Sequence, residues 1–407
     1  MTRFVYTFVI ELNWDPLDES LKDDPHPLWR RMRDEAPLYR NDRYDFWALS
    51  RFDDVDAVSR DPQTYSSAHG TVLELMSEEL WQQPMMIFLD PPDHTRLRRL
   101  VSRAFTPRRI AELEPSIRDL CATLLDAQRD GSDWDYVAQF GALVPANVIA
   151  TILGVPPEER EEVRRTIDQT FHIEPGKGMI NDVSVGAQLR LVELLSAQLA
   201  DRRARPRDDM LTDLVQSEIL EDDGTTRRLT EDEACGFGIL LVSAGTETVA
   251  RLIGFAGSTL AAYPDQRAEL AADPALIPAA VEELLRFEAP SPVQGRWVTR
   301  DVELYGQRVP KDSKMLLLTA SAGRDERRFV DPDRFDIHRK IDHHLTFGYG
   351  IHFCLGAALA RLEGRIAIEE TLRRYPEWDV DRERAVMLYT STVRGFEQLP
   401  IRVCSTV

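Results

Sequence analysis

At 407 residues the chain can bury a large core, in one big domain or in two or three ordinary ones. With 43% hydrophobic and 29% charged residues it has the composition of an ordinary soluble globular protein, and a formal charge of -19 makes nucleic acid a poor partner, because a phosphate backbone is held by clustered Lys and Arg. Cys121, Cys235, Cys354 and Cys404 are widely spaced with no CxxC pair, which argues against a disulfide framework and for a reducing compartment.

In chain order, the apolar start FVYTFVI is too short for a membrane span and lacks the basic-then-apolar order of a secretory signal, so the expected location is the cytoplasm. PHPLWRRMRDEAPLYR reads as a short helix ended by a proline, and DFWALSRFDDVDAVSRD as strand, turn and helix. From Asp90 to about Ala200 the signal is mostly helical. After acidic EILEDDGTTRRLTEDE a long helix is expected from about Glu233 to Tyr263, apolar on nearly every side and so bound for the middle of a core. VEELLRFEAP, Val281 to Pro290, is a helix stopped by prolines, and RWVTRDVELYG and SKMLLLTAS look like strands. A charged loop, SAGRDERRFVDPDRFD, leads to FGYGIHFCLG and a last helix, CLGAALARLEGRIAIEETLRRY. With no linker in view, the expectation is one mainly α domain with small β-sheets over 1–407. It would have a mixed part to about 90, a helix-rich core to about 300, and a loop-rich remainder carrying the cysteine.

FGYGIHFCLG sets Cys354 among Gly348, Gly350 and Gly356, which implies a tight path passing close to something bulky. At the start of a helix, unpaired N–H groups and the dipole favour a thiolate. Four readings are open. Cys354 could be a buried structural cysteine, a nucleophile with His352 as base, part of a zinc site with His343, His344 and His352, or a single axial thiolate for haem iron, shielded by Phe347.

Elsewhere, Glu283 and Arg286 are three apart on one helical face, a spacing that by itself suits a solvated ion pair. Ala244, Gly245, Thr246, Glu247 and Thr248 place hydroxyls and a carboxylate in apolar surroundings, where a threonine can bond back to the helix and bend it. His94 and Arg98 are four apart, suited to an anion or to water.

Taken together these stretches resemble the cytochrome P450 family. FGYGIHFCLG matches its haem signature F-G-x-G-x-H/R-x-C-x-G at every fixed position. The resemblance implies the P450 fold, with the long I helix over haem b and the cysteine loop before the L helix. Cys354 would then be the iron ligand, Phe347 and Gly356 part of its loop, and His352, His94, Arg98 and Arg296 contacts of the haem propionates. AGTET resembles the oxygen-activating A-G-x-D/E-T motif, in which Glu247 and Thr248 organise proton delivery while Ala244 and Gly245 leave room over the haem. EELLR resembles the E-x-x-R motif, with Arg334 as third partner of Glu283 and Arg286. SAGRD departs from the usual A-N-R-D by Gly323, which is expected to loosen that turn.

What the resemblance implies is monooxygenation, with one atom of O2 entering a medium-sized apolar organic substrate and the other leaving as water. No nicotinamide or flavin fingerprint is present, so electrons are expected from a ferredoxin and its NAD(P)H-dependent reductase. The arginines of RLRRLVSRAFTPRR and RLEGR would form the basic dock. Peroxide-driven oxidation, epoxidation or coupling, and a non-catalytic haem sensor, stand as alternatives. A monomer with no membrane span is expected. The substrate pocket is assigned to Met85, Leu241, Val242, Val293 and Thr392, with Trp81 and its neighbours in Val72 to Phe88.

Overall fold

The structure is a computed structural model that describes residues 12–80, 84–102, 105–128, 133–174, 178–221 and 224–403. The apolar start FVYTFVI, Trp81, Cys404 and Arg103 of RLRRLVSRAFTPRR lie outside the described residues.

Helices dominate, and one organises the rest. Glu231–Ala262 runs for 32 residues, two longer at its start than the sequence suggests. The reason is a capping box. The Thr230 side chain accepts from the Glu233 N–H, and the Glu233 carboxylate accepts from the Thr230 N–H. This helix is apolar and long enough to cross a bilayer, but 72% of its apolar window is buried inside the protein. Around it pack Leu143–Leu153, Asp182–Ala204, Ala357–Arg374 and the strand Arg394–Gln398. The apolar face of each closes one continuous core.

The sheets are small. The largest has five strands in the order Leu38–Asn41, Phe46–Leu49, Lys314–Leu317, Gln294–Val298 and Tyr65–Ser66. Its one parallel pairing sets Phe46 beside Lys314, and one of its three antiparallel pairings sets Met315 beside Arg296. Strands distant in sequence thus fix the middle of the chain against its start. The Gln294 side chain is held at the edge of the cavity that the long helix roofs.

Candidate active site

The cysteine loop is held by its backbone. Gly348 and Gly350 take positive φ, 66° and 69°, and a Cβ on Gly350 would stand 2.3 Å from the Ser59 carbonyl oxygen. The Cys354 N–H donates to the Phe347 carbonyl at 2.9 Å and closes the loop. The helix begins at Ala357 with Gly356 as its N-cap, so Cys354 precedes the first turn. Its thiol lines a cavity together with Phe347, Leu355 and Gly356. Burial pushes the thiol up, against the pull of the Gly356 N–H and of the Arg98 and Arg361 guanidiniums.

Beside the cysteine, cationic and hydrogen-bonding groups converge from three elements. His94 and Arg98 come from the helix Asp93–Val101, Arg296 from the strand Gln294–Val298, and His352 from the loop. The two imidazoles lie 4.3 Å apart between ring centroids. Burial, then the neighbouring arginines, lowers His352 to about 2, and burial with Arg98 lowers His94 to about 4. Arg296 is brought down to about 10 by burial. Both nitrogens of His94 and Nε2 of His352 are buried without a partner among the described residues. Among the described residues the Arg296 side chain donates to its neighbour, the Gly295 carbonyl. Arranged this way, the donors suit buried carboxylates, which need such compensation.

The zinc and nucleophile readings lose their partners. His343 faces Asp56 at 3.5 Å and His344 faces Glu282 at 3.2 Å, while His352 packs at a tilt against His94. Among the described residues no three His, Cys, Asp or Glu side chains gather as a metal cage. A lone thiol beside carboxylate-binding donors fits a metal that brings its own remaining ligands and its own carboxylates, as haem does.

On the opposite wall the long helix contributes Leu241, Ala244, Gly245, Thr248 and Leu252. The Thr248 hydroxyl donates to the Ala244 carbonyl at 2.9 Å, while the helix continues unbroken. The space beside Gly245 is not left open. Ile149 fills it, its Cδ1 2.6 Å from where a Cβ would be. Glu247 does not line the cavity. It is buried on another face and accepts from Arg251 Nη2 at 2.6 Å, and Arg251 Nη1 donates to the Phe396 carbonyl at 2.5 Å. Nearby, Asp168 is raised to about 6, chiefly by burial, with Glu247 adding to it.

Glu283 and Arg286 form no solvated pair. Both are 0% exposed and meet through two bonds of 2.6 and 2.8 Å. The third side chain on Glu283 is Arg339, whose Nε donates at 3.1 Å. Arg334 is exposed and offers only its carbonyl, because the loop turns its side chain outward. Nor is the turn at Gly323 loose. Gly323 is buried, its carbonyl accepts from Arg286 at 2.6 Å, and a Cβ there would stand 2.5 Å from the Arg286 carbonyl oxygen.

Of the five nominated pocket residues only Leu241 lines the cavity. Val242 is a third of a turn round the helix and packs in the core. Met85 packs near Gly236, while the short turn that follows it presents Met86 and Ile87 to the cavity. Val293 belongs to a separate apolar cluster and the next residue, Gln294, faces in; Thr392 donates to the Val293 carbonyl. Sequence reasoning also missed Glu363, a cavity residue on the helix Ala357–Arg374. Its signal was present, since Gly356, Leu359, Ala360 and Glu363 share one helical face.

Residues 180–403 match the family model described as Cytochrome P450. Over 396 residues the chain is 40% identical to a protein of Mycobacterium tuberculosis carrying the name cytochrome P450 123, with 97% of each chain covered. It is 38% identical to the erythromycin C-12 hydroxylase of Saccharopolyspora erythraea, over 91% of this chain and 92% of that one. Among solved structures, cytochrome P450 CYP109Q5 from Chondromyces apiculatus superposes with a TM-score of 0.87 at 35% identity, covering 97% and 98% of the two chains. The chain therefore belongs to the cytochrome P450 family of haem-thiolate monooxygenases. With the family come haem, O2 as co-substrate, an organic substrate and a dependence on redox partners.

Proposed function

We propose that the Cys354 thiolate holds the iron of haem b, that Arg98, His94, His352 and Arg296 hold its propionates, and that the enzyme hydroxylates a medium-sized apolar molecule in the cavity under the long helix. The observation that carries this reading is that a single thiol, Cys354, lines one cavity with Arg98 and His352, while both ring nitrogens of His94 and Nε2 of His352 are buried beside it with no hydrogen-bond partner among the described residues. When bound, haem supplies the oxygen chemistry, and a thiolate ligand favours O–O cleavage. Phe347 and the Gly356 N–H shelter the sulfur. Leu241, Met86, Ile87 and Phe237 give the substrate apolar walls, and Gln294 offers a polar handle. The Thr248 hydroxyl, facing the cavity, moves a proton.

The names of relatives support the substrate class. A vitamin D(3) 25-hydroxylase is 37% identical and the erythromycin C-12 hydroxylase 38% identical, so a rigid polycyclic or macrocyclic compound is the best first candidate. We assign electron supply to a ferredoxin with an NAD(P)H-dependent reductase in the cytoplasm. Its dock would lie near Arg99, at the cysteine side. The neighbouring arginines are largely spent on carboxylates, Arg361 on Glu282, Arg365 on Glu114 and Arg109 on Asp213, so electrostatic steering is expected to be modest.

The reduced protein with carbon monoxide tests the ligand. The strongly red-shifted band of a thiolate-bound haem is expected in the wild type and absent from Cys354→Ser; an unshifted band in the wild type would overturn the assignment. Turnover with peroxide, but not with ferredoxin, reductase and NAD(P)H, would overturn the electron route.

A further inference from the structure

A second cavity, of about 720 Å³, opens between the helix Asp93–Val101, the helix Met210–Gln216, the strand pair that follows it and the start of the long helix. Its size is that of a small-molecule site. The helix Asp93–Val101 divides its side chains between the two cavities. Arg98 lines the inner one with Cys354, while Arg96, Arg99 and Leu100, at i, i+3 and i+4, share the face that lines the outer one. Among the described residues Phe237 alone lines both. It begins the stripe Phe237, Leu240, Leu241 and Ala244, which follows the inner cavity at i, i+3, i+4 and i+7, so its buried ring stands as the wall between them.

The two cavities differ in chemistry. Along the inner one the long helix is apolar but for Thr248. The outer one joins apolar side chains, Met210, Leu214 and Ile219, to three arginines and two carboxylates. Arg96 is engaged with Asp93 and Glu221, and Arg109 donates to Asp213 at 3.2 Å. Arg99 is exposed and makes no hydrogen bond or ion pair among the described residues. The remaining carboxylate, Glu218, is exposed on the strand Glu218–Leu220. Three guanidiniums against two carboxylates favour an anion inside. Arg99 is the guanidinium left free to pair with one, and its planar fork matches a carboxylate. A ligand that satisfies both cavities is apolar at one end and acidic at the other.

We propose that the outer cavity is a second binding site, which holds the carboxylate end of an elongated substrate on Arg99 while the apolar body lies under the long helix and the connecting chain displaces the Phe237 ring. The proposal narrows the substrate class given above, to an apolar compound with an acidic side chain, and rests on that reading of the inner cavity. A charge held at a set distance from the apolar body fixes how far that body enters. Arg99 is therefore a positioning residue, and Phe237 selects by length, because a short compound meets it as a closed wall.

Imidazoles carrying a chain on one nitrogen test this by titration of the oxidised holoenzyme. No ferredoxin is present, so a part of Arg99 in the redox dock does not enter. The free ring nitrogen binds haem iron and shifts its absorption band, and chains ending in methyl, carboxylate or ammonium are compared at each length. Short chains should gain nothing from a carboxylate. Once the chain is long enough to pass Phe237, the carboxylate should bind about ten- to a hundredfold more tightly than the methyl end, the range for a hydrogen bond to a charged group. Arg99→Gln should abolish that gain, Arg99→Lys should keep part of it, and Phe237→Trp should remove it by blocking the passage. The proposal is overturned if the carboxylate gains nothing at any length, if short chains already show the gain, or if the ammonium end binds as tightly. It is equally overturned if the gain survives Arg99→Gln or Phe237→Trp. Should Phe237→Trp fail to take up haem, Arg99→Gln, an exposed substitution, decides alone. A wild type in which unsubstituted imidazole shifts no band would sink the haem reading and this proposal with it, a result distinct from a shift that ignores chain length.

Discussion

Arg334 and Arg339 lie five residues apart in one loop, and only the second reaches the buried carboxylate. Arg339 donates to Glu283 at 3.1 Å and to the carbonyls of Val330, Asp331 and Arg334, so it ties the loop both to itself and to the helix Ile277–Phe287. Removing it strips Glu283 of one charge-assisted bond and frees three carbonyls, although Arg286 still pairs that carboxylate. Arg339→Ala is therefore expected to cost about 1.5–3 kcal/mol, the range for a hydrogen bond to a charged group. Arg334→Ala should stay within about 0.5 kcal/mol as an exposed substitution. Urea unfolding midpoints of the two variants decide between them, and equal midpoints would show that the loop arginine is misassigned. For comparison, Arg286→Ala leaves a fully buried carboxylate with Arg339 and the Asp336 N–H, and about 3–5 kcal/mol is expected. The pairing of Glu283 with Arg286 was legible because both sit on one helix. Which loop arginine joins them was not, since a short motif records order along the chain and not the direction in which a loop turns its side chains.

At the scale of elements, the long helix was legible to within two residues at its start because its apolar run is long, and the two residues missed belong to the cap, TEDE, which reads as the end of an acidic connection. Its rotation was not. Whether Leu241 or Val242 faces the cavity depends on about a hundred degrees of turn, set by the helices packed around it. The same ignorance hid Glu363, because a glutamate in RLEGR looks like part of a solvated face until its helix is docked. Gly245 shows how tightly that docking is specified. Ile149, from the helix Leu143–Leu153, occupies the place of its missing side chain. Gly245→Ala gains helix propensity of about 1 kcal/mol but overpacks this contact, at about 1–3 kcal/mol, and clash outweighs propensity because the helix is already held by tertiary packing. Ile149→Ala removes both offending atoms, Cδ1 at 2.6 Å and Cγ1 at 2.8 Å. The double variant should thus be more stable than the two single changes sum to, by about 0.5–3 kcal/mol for residues in contact. Thermal unfolding of all four proteins measures that coupling, and strict additivity would mean the two helices do not meet as described.

On the scale of the whole molecule, one buried ionic cluster joins the beginning, middle and end of the chain, and it contributes to how the fold responds to acid. Glu288, just past the helix Ile277–Phe287, accepts from Arg324 at 2.8 Å and from Arg394 at 2.5 Å, with His26 at 3.9 Å. Arg394 also donates to the carbonyls of Lys22 and Asp23, so the N-terminal segment is pinned to the last β-hairpin. Burial and then Arg324 lower His26 to about 4, despite Glu288. The arginines and His26 hold the Glu288 carboxyl well below the usual range, against its burial. The signs follow from proton uptake. Unfolded, His26 takes a proton near pH 6.5, which the folded protein refuses until about pH 4, so stability falls as pH drops through that window, by up to about 1.4 kcal/mol per pH unit. Glu288 stabilises the fold above its unfolded value, near pH 4.3, and that contribution is lost as pH falls further. Melting temperature measured from pH 7.5 to 4 should therefore decline steadily for the wild type. His26→Gln, which has no proton to take up, should be flatter between pH 6.5 and 4.5 and should steepen only below that range. Glu288→Gln strands two buried guanidiniums and should be destabilised by about 3–5 kcal/mol even at neutral pH. If His26→Gln follows the wild-type slope through pH 6.5 to 4.5, the histidine is not the group that senses acid, and the junction of the two chain ends contributes nothing to that response.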